Sequence, residues 1–74
     1  MLALDRESAE PLYEQIYRYI KEAIEGGHFV AGTRLPSVRA LAAENGVSKI
    51  TVEQAYVQLA AEGYIRAHNR SPYE

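Results

Sequence analysis

From Pro11 onward the apolar residues return every three or four positions. Leu12, Tyr13, Ile16, Tyr17, Ile20, Ala23 and Ile24 share one face at helical spacing, and Glu14, Arg18, Lys21, Glu22 and Glu25 share the other. The pattern predicts a first amphipathic helix, opened by Pro11, whose missing N–H costs nothing in a first turn, and closed by Gly26 and Gly27. Glu14 and Arg18 stand four apart in the favourable order and are expected to pair. Val38, Leu41 and Ala42 form the inward face of a second helix, preceded by Pro36, which disfavours helix at Leu35, and capped by Ser37. Val52, Ala55, Leu59 and part of Tyr56 form the inward face of a third helix, from about 48 to 62.

The remaining stretches follow from the absence of a helical period. Residues 1–10 have no period and are expected to be an arm, frayed unless something holds it. Residues 28–34 form a connector in which Phe29 and Val30 are expected to pack on the first helix, with a short strand at 33–35. Gly63 closes the third helix, and Tyr64, Ile65, Arg66 and Ala67 then alternate like a strand. A polar turn at 68–71 and a returning strand from Pro72 would complete a β-hairpin. The expected fold is therefore mainly α: three helices with a small C-terminal hairpin, one domain over 11–74 behind the arm at 1–10.

The junction of the second and third helices has a specific spacing. Ala42 stands four before Gly46, and Val52 six after it. A small residue at 42 lets the helices cross closely, Gly46 can take the positive φ that a sharp turn needs, and Val47 and Val52 anchor the turn to the core. Ser48 is a good N-cap for the third helix. This is the pattern of a DNA-binding helix-turn-helix, and a hairpin directly after it is the wing of a winged helix.

Net charge at first argues against that reading, since the chain carries −2 overall. The distribution changes the picture. Up to Gly32 three basic residues face six acidic ones, a net −3; from Thr33 onward five face four, a net +1. The basic residues of the second half, Arg34, Arg39, Lys49, Arg66 and Arg70, accompany the helix-turn-helix. There is no cysteine, which excludes disulfides and thiolate metal sites, and no apolar run long enough to span a membrane. His28 and His68 are isolated, and neither a carboxylate pair nor a glycine-rich phosphate loop is present, so enzyme chemistry and a small-molecule ligand in this domain are not expected.

The candidate DNA-binding residues are Arg39, Ser48, Lys49, Ile50, Thr51, Glu53, Arg66, Asn69 and Arg70. Arg39, near the start of the second helix, reads either as a phosphate or base-edge contact or as a solvated residue paired with an acid. Lys49 and Thr51 stand where the helix dipole assists phosphate binding. Ile50 can touch a thymine methyl; single exposed aliphatics are also ordinary. Glu53 can accept from a cytosine amino group or orient an arginine. Asn69 and Arg70, at the expected wing tip, can reach a minor groove or its backbone. A protein-interaction module with the same shape, using Ile50 and Val57 without DNA, is the alternative.

Five runs in order carry a resemblance: Pro-Leu-Tyr-Glu-Gln-Ile (11–16), Ala-Gly-Thr-Arg-Leu-Pro-Ser-Val-Arg-Ala-Leu-Ala (31–42), Gly-Val-Ser (46–48), Thr-Val-Glu-Gln-Ala-Tyr (51–56) and Leu-Ala-Ala-Glu-Gly-Tyr-Ile (59–65). Together they resemble the N-terminal winged helix-turn-helix domain of GntR-family bacterial transcription regulators, most closely the MocR-like branch, with the YtrA-like branch also similar. The resemblance implies double-stranded DNA as partner, a homodimer in the full-length protein and a cytoplasmic bacterial location. It also implies an effector domain outside these 74 residues, which in MocR-like proteins resembles a pyridoxal-phosphate-dependent aminotransferase; no cofactor is expected in this chain. Arg39 matches the family's DNA-contacting arginine. Ser48, Lys49 and Thr51 match its Ser-Arg-x-Thr, with lysine for arginine, which keeps a phosphate contact and removes a bidentate guanine contact. Ile50 replaces a usual polar residue, and Asn69, Arg70 and Ser71 replace wing glycines.

Overall fold

The computed structural model describes residues 3–29 and 34–66 of the chain. Three helices account for most of it: α1 (Leu12–Glu25), α2 (Val38–Asn45) and α3 (Lys49–Ala61). Each starts where a residue can serve the unpaired N–H groups of a first turn. The Pro11 carbonyl accepts from Glu14 and Gln15 at 3.1 and 3.2 Å. Ser37 and Ser48 are extended, and their hydroxyls accept from the amides of Ala40 and Thr51 at 3.0 and 3.1 Å. Each helix also ends on a glycine-assisted turn. After α3, Tyr64 N–H bonds the Leu59 carbonyl and Gly63 N–H bonds the Ala60 carbonyl, the paired closure that a left-handed residue permits.

The central element is α3, with α1 and α2 both packed against it. Val52, Ala55, Tyr56 and Leu59 of α3 are buried against Ile16 and Ile20 of α1, Leu41 and Ala42 of α2, and Leu35 and Ile65 from the flanking segments. Phe29, Val38 and Val47 are half-buried against this core, as expected. Tyr56 goes further than its helical register suggested: it is wholly enclosed, and its hydroxyl donates to the Pro36 carbonyl at 2.8 Å. That bond explains how a phenol is accommodated in an apolar core, since the polar end meets a backbone acceptor.

The arm meets the condition under which it does not fray: Leu4 packs on the core, and Gln15, only 6% exposed, bonds the backbone of Asp5 and Glu10. Other expectations are corrected. Arg18 pairs with Glu10, not Glu14, through two contacts of 2.6 and 3.1 Å. Glu10 precedes the helix and can swing to meet the guanidinium fork side-on, a geometry that favours it over a single contact along the helix. Glu14 instead accepts from the Tyr13 hydroxyl. No strand forms at Arg34 and Leu35 or at 64–66, where the chain bends; Ile65 is buried and Arg66 exposed. The hairpin expected beyond Arg66, with Asn69 and Arg70 at its tip, lies outside the described residues, as do Val30 and Thr33.

Candidate nucleic-acid interface

The hinge of the helix-turn-helix is Gly46, with φ 65° and ψ 35°. That left-handed conformation turns the chain between Asn45 and Lys49 in three residues. It is secured by Gly46 and Val47 N–H groups that both bond the Ala42 carbonyl. Ala42 is buried beneath the crossing, so the small side chain and the accepting carbonyl of one residue define the angle at which α3 leaves.

The first turns of α2 and α3 contain no acidic residue, in contrast to α1, which carries Glu14 there. The positive ends of the α2 and α3 dipoles are therefore not neutralised locally. Arg39 is exposed in the first turn of α2 and Lys49 in the first turn of α3. Ser48 and Thr51 hydroxyls bond each other at 2.8 Å. One proton of that pair is engaged and one remains for an outside acceptor. Ile50 is 68% and Val57 55% exposed on the outer face of α3, with Glu53 and Gln54 between them.

The cations divide by partner. Arg18 is locked to Glu10 and stays charged to a higher pH than an ordinary guanidinium, because the Glu10 hydrogen bond and charge favour it. Lys21 lies 5.8 Å over both the Tyr17 and Tyr64 rings, whose phenols raise its pKa. Tyr17 donates to Glu62 and Tyr64 to Glu25; these bonds raise both phenols and tie α1 to the residues that follow α3. Arg6 lies on backbone carbonyls of Asn45 and Gly46. By contrast Arg34, Arg39, Lys49 and Arg66 make no hydrogen bond or ion pair among the described residues. This answers two alternatives left open by the sequence: Arg39 pairs with no acid, and Glu53 orients no arginine, among those residues. No sequence pattern signals the roles of Arg6 or Gln15, whose partners lie in distant or aperiodic segments.

Among the described residues there is no cluster of histidine, cysteine or carboxylate side chains able to hold a metal, and no helix long and apolar enough to cross a membrane. What the outer surface of α2 and α3 offers is unpaired positive charge at two helix N-termini beside a half-apolar helix face.

The sequence model of bacterial regulatory proteins of the gntR family matches residues 12–74. This chain belongs to the GntR family. Among its relatives, the uncharacterized HTH-type transcriptional regulator YdeL of Bacillus subtilis (strain 168) is 52% identical over 92% of this chain and 15% of its own length. The probable rhizopine catabolism regulatory protein MocR of Rhizobium meliloti is 42% identical over 96% of this chain and 14% of its own. The chain thus spans about a seventh of these relatives. Among solved structures, YtrA from Sulfolobus acidocaldarius, a GntR-family transcription factor, superposes with a TM-score of 0.88 at 43% identity, covering 95% of this chain and 73% of that one. The chain is thus about as similar in sequence to MocR as to YtrA.

Proposed function

We propose that this GntR domain binds double-stranded DNA sequence-specifically for a bacterial transcription regulator, with α3 in the major groove and the segment beyond Arg66 as a wing on the adjacent minor groove or backbone. The observation that supports it best is the division of cations. Those before Gly32 are engaged inside the domain, while Arg39 and Lys49 stand unpaired at two helix N-termini with Arg66 beyond α3. Unpaired guanidinium and ammonium groups at positive dipole ends are suited to phosphate. In this reading Arg39, Ser48, Lys49, Thr51, Arg66 and Arg70 hold the backbone. Ile50 meets a thymine methyl, Glu53 a cytosine amino group, and Asn69 the minor groove.

One domain of this size buries little DNA-facing area, so two copies on paired half-sites, dimerised by residues outside this chain, supply working affinity. The domain acts in the cytoplasm. In this reading the domain itself uses no pyridoxal phosphate. We assign that cofactor, together with effector binding, to an effector domain of the MocR kind.

The test is a fluorescence-anisotropy titration of a labelled duplex selected by the chain from a random pool. The four cations among the proposed backbone contacts, Arg39, Lys49, Arg66 and Arg70, predict a slope of log K on log salt of about −3 to −4, so fourfold more salt weakens binding about a hundredfold. Binding that ignores salt would overturn the phosphate roles. The exposure of Ile50 and Val57 favours a second reading, a protein-binding face. In that case Lys49→Ala with Arg39→Ala would leave the interaction intact, whereas Val57→Asp would abolish it.

A further inference from the structure

The arm that the sequence left unassigned is built onto the hinge. The Gln15 carboxamide accepts the Asp5 N–H at 2.7 Å and donates to the carbonyls of Asp5 and Glu10 at 2.9 and 2.8 Å. Both its amide protons are thereby used, and Asp5 is fixed against α1. Within the arm, Asp5 Oδ1 accepts the Glu7 N–H and Ser8 Oγ accepts the Glu10 N–H, both at 3.0 Å, so the segment is folded into turns. Arg6 therefore leaves from a fixed backbone point. Its Nη2 donates to the Asn45 carbonyl at 2.9 Å and the Gly46 carbonyl at 3.0 Å.

Those carbonyls end α2 and form the hinge. Carbonyls at a helix C-terminus lack helical partners and lie at the negative end of the dipole, so a guanidinium meets both needs. The hinge residue is glycine, the residue with the widest choice of φ and ψ. A small rotation there swings the Lys49 end of α3. We propose that Arg6 is a positioning residue for DNA recognition: next to Asp5, whose backbone Gln15 holds, it clamps the Asn45–Gly46 turn and so fixes the angle at which α3 meets the groove. Arg6 acts through the turn and touches no phosphate. The inference rests on the DNA-binding role of α3.

The experiment compares the wild-type chain with Arg6→Ala and Arg6→Lys, using the selected duplex at several salt concentrations and a temperature at which circular dichroism shows each variant fully folded. Losing two charge-assisted bonds at the hinge is expected to weaken binding about tenfold in Arg6→Ala. The salt slope stays at the wild-type value, and amide shifts move at residues 46–49 in the free protein. Lysine, still a donor to one carbonyl, restores part of the affinity. The rescue and the unchanged slope separate a clamp from general stability, which would not alter the affinity of fully folded protein. Wild-type affinity in Arg6→Ala overturns the inference. A slope shallower by about 0.9 also overturns it, making Arg6 a phosphate contact. Absence of wild-type binding to any duplex instead removes the DNA-binding reading itself.

Discussion

Replacing Gly46 with alanine isolates the backbone cost of the hinge. At φ 65° and ψ 35° an L residue with a Cβ is strained by about 1–2 kcal/mol relative to glycine. Sterics add nothing further, because an ideal Cβ there would meet its nearest neighbour, Arg6 Nη2, at 3.4 Å, an ordinary contact. Alanine also restricts the unfolded chain, which returns about 0.4–1 kcal/mol. The net expectation for Gly46→Ala is a loss of about 1 kcal/mol, or about 4–8 °C in Tm for a domain of this size. Asparagine tolerates the left-handed region better and should cost less, while β-branched valine should cost more. Urea denaturation followed by circular dichroism measures the series, with m unchanged if only the folded state is affected. Equal stability of wild type and Gly46→Ala, or a larger loss for asparagine than for alanine, would refute backbone strain as the reason for glycine at this position.

Tyr56→Phe removes the hydroxyl that meets the Pro36 carbonyl in the core and should cost about 1–2 kcal/mol in the same denaturation assay, with the helices retained. Arg39→Ala and Lys49→Ala should each weaken duplex binding and reduce the salt slope by about 0.9 in anisotropy titrations, without lowering Tm. Acid stability should depend on Glu10 and Glu62, whose carboxyls are held below the usual range by hydrogen bonds from Arg18 and Tyr17 respectively. Their contribution is present above the ordinary carboxyl pKa and is lost as pH falls through the lowered values, so Glu10→Gln should flatten the acid limb of a plot of Tm against pH. On the alkaline side the phenols of Tyr17 and Tyr64 are raised by their bonds to Glu62 and Glu25. That contribution is present below about pH 10 and is lost as pH rises through the raised values, and Tyr17→Phe should remove part of the alkaline decline.

Local chemistry made most of the helical framework legible. The apolar spacing of Ile16 and Ile20, the caps Ser37 and Ser48 and the glycine at 46 all follow from rules acting within one or two turns, and the structure bears them out. What escaped was pairing across distance. Nothing in an aperiodic stretch announces that Arg6 will reach carbonyls 39 and 40 residues away, or that Gln15 will be buried by the arm's own backbone. The expected Glu14–Arg18 pair failed for a related reason: a helical rule omitted a competitor outside the helix, Glu10, with better geometry. At Tyr64 the alternation looked strand-like, yet the closure of α3 and the bond to Glu25 hold the residue in a bend. For the interface, the sequence showed which residues carry charge. The structure added which of those charges are unpaired, and that difference separates Arg39 and Lys49 from Arg18 and Lys21.

The presentation of α3 to a duplex is tested most directly by following backbone amide resonances while the selected duplex is added. We expect the amides of Val38 and Arg39 and of residues 48–53 to move progressively and those along the outer face of α1 to stay still. Shifts confined to α1, or unmoved amides at Lys49, Ile50 and Glu53 with the duplex in excess, would contradict the proposal.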